Sequence, residues 1–173
     1  LYSIRKSGKD HRTTIKATMQ GILETDAIPT ELVAIRDSVV VGCSASSLQV
    51  YSFDGHDWEQ LPTLDESNAR LANHNGNLVA ANQCEQGAMI QTLSEGKWQA
   101  GVLVELRGRF YDIMTKQDWL LLVSTEGEKA HILGLQGENP IAIASFDVPK
   151  GSWSLVPSPE GVTVVGVERN GTT

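Results

Sequence analysis

The chain has little with which to build a metal centre, a nucleotide pocket or a disulfide frame. Its 173 residues include two cysteines, Cys43 and Cys84, too few to staple a small domain. Its four histidines, His11, His56, His74 and His131, fall nowhere at metal-ligand spacing, and neither an HExxH nor a CxxC is present. A GxGxxG turn and a Walker loop are also missing. No metal and no cofactor is therefore expected. Gly42-Cys43-Ser44-Ala45-Ser46 begins like a nucleophile elbow but lacks its closing glycine. No run approaches the roughly 18 apolar residues of a transmembrane helix, so no membrane span is expected. Positive charge is scarce as well. The formal net charge is −7, and it is uneven: residues 1–16 carry Arg5, Lys6, Lys9, Arg12 and Lys16 against Asp10, a net +4, which leaves −11 on the rest. An acidic body is a poor surface for nucleic acid, whose phosphates need clustered cations. Leu1 is not an initiator methionine and no signal-peptide pattern precedes it, so a piece of something longer is expected.

What the chain does have is a recurring unit. Residues 39–62 read VVVGCSASSLQVYSFDGHDWEQLP. Apolar runs at 39–41 and 48–53 flank a small polar turn, and a third segment follows Asp54-Gly55 with Trp58 and Leu61-Pro62. Each run has strand length and β-branched or aromatic content, bounded by Gly, Ser and Asp. Shifted by 40, residues 48–58 fall without gaps on 88–98, with Val50 on Ile90, Phe53 on Leu93 and Trp58 on Trp98. A further 42 reaches 130–140, where Ile132 and Leu135 keep the apolar positions and Pro140 replaces the tryptophan. The run 39–41 is echoed at 78–80, 120–122 and 162–164, at spacings of 39, 42 and 42.

A unit of about 40 residues with four short strands is the size of a propeller blade. The expected fold is all-β, a β-propeller of four-stranded antiparallel blades, forming one domain over 1–173 or part of a larger propeller. Lettering strands A to D outward from the axis, blade one takes 32–36, 38–43, 47–53 and 56–62. Blade two takes 69–73, 77–82, 88–93 and 97–104, and blade three 109–114, 118–124, 130–135 and 140–147. Residues 1–19 form a C–D pair, 153–156 and 162–167 an A–B pair, and 20–31 a linker in which 23–26 has room for one helical turn before Pro29. The two half-blades either complete each other in a closed four-blade ring or mark a slice of a larger one, completed by other segments or chains; closure would remove exposed sheet edges. A β-sandwich also has short strands at even spacing but would not need the 40-residue register.

With these residues in view the chain resembles kelch-type propellers, best over 38–84. Val39-Val40-Val41-Gly42-Cys43 sits where that family has an apolar strand ending in glycines, Tyr51 and Trp58 where it has its spaced Tyr and Trp, and Arg70 where it has an Arg before the next strand. Gly42 lacks its glycine partner, blade two has Gln91 at the Tyr position, and blade three has neither aromatic in register. Residues 52–58 are also similar to the Asp-box turn of sialidase-like propellers, one residue short between Asp54 and Gly55. That turn is structural in its own family.

Trp58 and Trp98, at matched positions, are expected to be buried packing residues between blades. Cys43 and Cys84 end neighbouring B strands and are expected as free thiols. Asn170-Gly171-Thr172 is a glycosylation sequon. Propellers present loops on a rigid frame, and loops carry function. The D–A and B–C loops share one face, and their polar side chains make a mixed rim suited to a protein or peptide partner. The binding candidates are Asp65, Glu66, Asn68, Arg70, Gln83, Glu85, Arg109, Glu126, Glu128, Lys129, Lys150 and Trp153. The main reading is a non-catalytic binding scaffold, with no catalytic residue assigned. The alternatives are a glycan-binding or glycoside-hydrolase-like propeller and a purely structural segment. Convergent carboxylates beside an aromatic would favour the glycan reading; a flat, wide face would favour the scaffold.

Overall fold

In the computed structural model the chain is described over residues 2–7, 14–19, 22–66, 68–137, 139–148, 152–158 and 161–167. For 2–19, and for most of 152–167, this covers the strands and not the side chains. Every regular element among the described residues is a strand, and every pairing is antiparallel. β1 (Tyr2–Ser7) pairs with β2 (Thr14–Met19). β3 (Ile28–Ile35), β4 (Ser38–Ser44), β5 (Leu48–Phe53) and β6 (Trp58–Leu64) form a four-stranded meander, sheet one. β7 (Arg70–His74), β8 (Asn77–Cys84), β9 (Gly87–Ser94) and β10 (Lys97–Trp98) form sheet two, with β11 (Val102–Glu105) also on β9. β12 (Arg109–Lys116), β13 (Trp119–Glu126), β14 (Lys129–Gln136) and β15 (Asn139–Asp147) form sheet three, and β16 (Ser152–Ser158) pairs with β17 (Gly161–Val167).

The four echoed runs lie one to a sheet, on β4, β8, β13 and β17, always the second strand. Their composition follows from where that strand sits. β8 and β13 each bury five successive residues, because neighbouring sheets cover both of their faces. Such a strand reads as an unbroken apolar run rather than an alternating one. The outermost strand of sheet three, β15, is exposed over almost its whole length. One core cluster joins sheets one and two through Val40, Val50, Leu71 and Leu78. A second joins sheets two and three through Val79, Ile90, Phe110 and Leu122.

The first strands of the sheets pack on one another in series, β3 on β7, β7 on β12 and β12 on β16, which makes them the innermost strands. Side chains link them. Asn73 Nδ2 on β7 donates to the Ala34 carbonyl on β3 at 2.9 Å, and Thr115 Oγ1 on β12 donates to the Asn73 carbonyl at 2.5 Å. At the outer edge Trp98 Nε1 donates to the Pro62 carbonyl at 2.8 Å. Asn75 and Gly76, with φ of 53° and 77°, make the tight turn from β7 to β8 that an Asn-Gly pair favours.

Three expectations are corrected. β3 begins at Ile28, inside the expected linker, and 23–26 forms no helical turn. Pro29 is tolerated because β3 is an edge strand of its sheet and needs no donor there. The outer strand of sheet two is broken into β10 and β11, since three residues (99–101) oppose two (91–92) on β9. Trp58 and Trp98 are mostly buried and hold matched register positions, opposite Phe53 and Leu93, as expected. Cys43 and Cys84 are free thiols.

Candidate functional site

The 39 and 42 spacings carry onto the innermost strands. Glu31 opposes Gly42 in sheet one, Arg70 opposes Ala81 in sheet two, and Asp112 opposes Val123 in sheet three. These are one register position repeated three times. A β-bulge precedes Glu31 on β3, between Pro29 and Glu31, and another precedes Asp112 on β12, between Phe110 and Asp112. Bulges re-aim side chains locally and are frequent beside active sites. A Cβ on Gly42 would come within 3.0 Å of Glu31 Cβ, so the glycine leaves room for the Glu31 stem.

Arg70 NH1 donates to Glu31 Oε1 at 2.7 Å, and the Leu71 amide donates to Glu31 Oε2 at 3.3 Å. The Glu31 side chain is 11% exposed and that of Arg70 44%. Burial pushes the Glu31 carboxyl up from its ordinary pKa, against the opposing hydrogen bond and charge of Arg70, and Asp112 raises it further. Burial also pushes Asp112 up, opposed by the Ile113 amide (2.9 Å to Oδ1) and by the charge of Arg70. Burial opposes the charge on Arg70, but the hydrogen bond and charge of Glu31, aided by Asp112, outweigh it and raise the guanidinium. The Tyr111 phenol is raised by burial and then by Asp112. Two carboxyls of elevated pKa thus flank one cation beside an aromatic ring. Groups perturbed by desolvation and a specific partner are candidates for a functional site where they line a cleft. Glu31 also lines a groove of about 430 Å³ on the outer face of sheet one, together with Trp58.

Of the loop candidates whose side chains are described, only Arg70 enters this cluster. Asp65, Glu66 and Asn68 are exposed before β7, Glu85 is exposed in the β8–β9 turn, and Arg109 is exposed at the start of β12. Gln83 is a structural clip: its Oε1 accepts from the Phe110 amide, and its Nε2 donates to the Cys84 and Gly87 carbonyls at 2.6 and 2.9 Å. Glu126, Glu128 and Lys129 are exposed around the β13–β14 turn, and a Glu126 carboxylate oxygen lies 3.7 Å from His131 Nε2. Lys150 lies outside the described residues, as does Asn170, and the Trp153 side chain is not described. The two loop sets do meet. A Cβ on Gly108 would fall 2.2 Å from the Thr125 carbonyl oxygen, and one on Gly87 2.1 Å from that of Val104. Asp54 Oδ1 accepts from the His56 and Asp57 amides at 2.8 and 3.0 Å, so it pins its turn. Among the described residues no cluster of three or more His, Cys, Asp or Glu is placed to hold a metal ion.

Glu31 and Asp112 were missed by the sequence reading, which looked to loops. Extending the repeat to the A strands reveals them, as charged residues at one register position of successive strands.

No protein-family model matches the chain, and no curated protein matches it. Solved structures do. The GH43B protein of the Bacteroides ovatus xyloglucan PUL matches with a TM-score of 0.57 at 13% identity, over 80% of this chain and 35% of its own. A structural-genomics target provisionally described as a gluconolactonase matches with a TM-score of 0.57 at 13% identity, over 95% of this chain and 69% of its own. The chain therefore spans about a third of the length of the first. Both are β-propellers. The chain is an all-β protein of antiparallel meanders. Its fold is that of a β-propeller, and the likeness at this identity is one of fold alone. The kelch type is not supported. Tyr51, at its marker position, donates to Gln49 Oε1 two residues away at 2.7 Å.

Proposed function

We infer that this propeller binds carbohydrate on its innermost strands and cleaves a glycosidic bond there. The observation that carries the reading is the trio Glu31, Arg70 and Asp112 at one register position, with both carboxyls raised by burial. Glycoside hydrolysis asks for two carboxyl groups in different protonation states. The two differ in their partners. At Glu31 the hydrogen bonds from Arg70 and from the Leu71 amide work against burial and favour the ionised form. At Asp112 burial raises the carboxyl against the Ile113 amide and the charge of Arg70, which suits it to carry the proton. Asp112 then gives that proton to the leaving glycosidic oxygen, and Glu31 acts on the anomeric carbon directly or through water. Arg70 holds Glu31 in place.

The names of the structural neighbours, a glycoside hydrolase and a described gluconolactonase, lend weight to this reading over a non-catalytic scaffold. Xyloglucan oligosaccharides are the first substrates to test. The rim residues Asp65, Glu66, Asn68, Arg109, Glu126, Glu128 and Lys129 fit contacts to the outlying parts of such a chain. On the same reading β16–β17 and β1–β2 together supply one blade. The test is reducing-sugar release from xyloglucan oligosaccharides and other hemicellulose fragments by the wild type, Glu31→Gln and Asp112→Asn, with folding checked by circular dichroism. Release by the wild type that both variants lose supports the reading. Release that survives both substitutions overturns it.

A further inference from the structure

The sheets meet by one register rule. On a first strand, one residue faces the sheet before it and the next faces the sheet after it. Leu71 on β7 shares a core with Val33 and Val40 of sheet one. Ile113 on β12 shares a core with Ala72 and Val79 of sheet two. Leu71 opposes Ala80 and Ile113 opposes Leu122, so the two leucine-like positions are equivalent. Val33 opposes Val40, Ala72 opposes Val79 and Met114 opposes Leu121, so these are equivalent as well.

Two faces keep this register and lack a neighbour. Leu32 opposes Val41, the position of Leu71 and Ile113. Those two are each 5% exposed, whereas Leu32 is 72% exposed. At the other end of the series, Val156 opposes Thr163, the position of Met114, and Val165 opposes Ser154, the position of Val123. Met114 and Val123 are buried, whereas Val156 and Val165 are 47% and 52% exposed. Contiguous apolar surface at positions that the adjoining sheets bury marks an interface.

We propose that these two faces seat each other between two copies of the chain. The face of sheet one that carries Leu32 and Val41 takes the face of β16–β17 that carries Val156 and Val165 from a second copy, and the pair closes as a ring. Three observations select that occupant. First strands already pack in series, β3 on β7, β7 on β12 and β12 on β16, so the strand that continues the series beyond β16 is another β3. Within one chain both faces stand open, so that β3 comes from another copy. The faces also match by the rule of the internal cores: Leu32 meets Val156 as Leu71 meets Val33 and as Ile113 meets Ala72. Finally, Leu32, Val41, Val156, Thr163 and Val165 are all uncharged, so the contact desolvates no ion at these positions. A contact between unlike faces forms a closed ring when its rotation permits. Two copies bring eight first strands to the axis, four from each (β3, β7, β12 and β16), which is within the roughly 4–8 blades of propellers. The proposal needs no carbohydrate reading.

The test is sedimentation equilibrium of the full chain over a wide concentration range, for wild type, Leu32→Glu, Val156→Lys and an equimolar mixture of the two variants, with folding checked by circular dichroism. The wild type is expected at the mass of two chains. Each variant alone should bind its own kind at least about tenfold more weakly, because an unpaired charge is set into an apolar contact. The mixture should restore the two-chain species, since one contact then pairs the new carboxylate with the new ammonium and the other contact is native. Should a charged variant fail to fold, Leu32→Ser and Val156→Ser take their place, and weaker association of both is the expected result. A wild type that stays a single chain at every concentration overturns the proposal. Assemblies larger than two chains overturn it, as does a two-chain species that survives in both variants. Failure of the folded charged variants to associate on mixing overturns it too.

Discussion

Arg70 on β7 reaches across the inner seam to Glu31 on β3, NH1 to Oε1 at 2.7 Å, and so ties together the first strands of two successive sheets. The same guanidinium lowers the pKa of both Glu31 and Asp112 against the burial that raises them. Replacing Arg70 with Met keeps much of the stem and removes the charge. Both carboxyls then move further above their ordinary values. Carbon-detected NMR titration of the Glu31 and Asp112 carboxyls checks this, with an upward shift at both sites expected.

Asp112 sets a pH dependence of stability. Its folded-state pKa lies above its ordinary value of 3.8. Between the two values the folded chain keeps a proton that the unfolded chain has released. Stability is therefore full below the ordinary value and falls as pH rises through the raised one. Asp112→Asn removes that decline. The variant is expected to melt higher than wild type at neutral pH and to differ little at pH 3, which thermal unfolding across that range measures. A functional carboxyl held at a cost in stability behaves this way.

The outer seam contributes through Trp98. Trp98→Phe keeps an aromatic ring in the cluster with Leu61 and Leu93 but deletes the donor to Pro62. Loss of one hydrogen bond of this kind costs about 1 kcal/mol. Leu122→Ala, at a fully buried position on β13, is expected to cost about 2–5 kcal/mol. Chemical denaturation of the two variants should preserve that order.

The rim depends on backbone contact at Gly108. Its φ is 73°, and a Cβ there would fall 2.2 Å from the Thr125 carbonyl oxygen. Gly108→Ala is expected to destabilise by more than about 1 kcal/mol, from the positive φ and the clash together. Hydrogen exchange should quicken first at the β11–β12 loop and the β13–β14 turn.

The second strands β8 and β13 were legible in the sequence because neighbouring sheets cover both of their faces, which forces the apolar runs at 78–80 and 120–122. Glu31 was hidden for the opposite reason. The opening Ile-Pro-Thr-Glu of this edge strand shows neither alternation nor an apolar run, so it read as linker while the strand was placed from Leu32 onward. The break between β10 and β11 depends on a one-residue mismatch with β9, which no composition signal carries. Asp112 was visible as a charge within a strand, but its meaning came only when the sheets aligned it with Arg70 and Glu31.

The central claim is that Glu31 and Asp112 form a working pair, and the pH profile of oligosaccharide cleavage tests it most directly. The account predicts a bell-shaped profile for the wild type, with one limb from Glu31 and one from Asp112. Glu31→Gln and Asp112→Asn should each lower kcat by about 100-fold or more, and Asp112→Asn should remove the alkaline limb from the residual rate. A wild type that cleaves with a flat profile, or with a profile unchanged by both substitutions, would contradict the account.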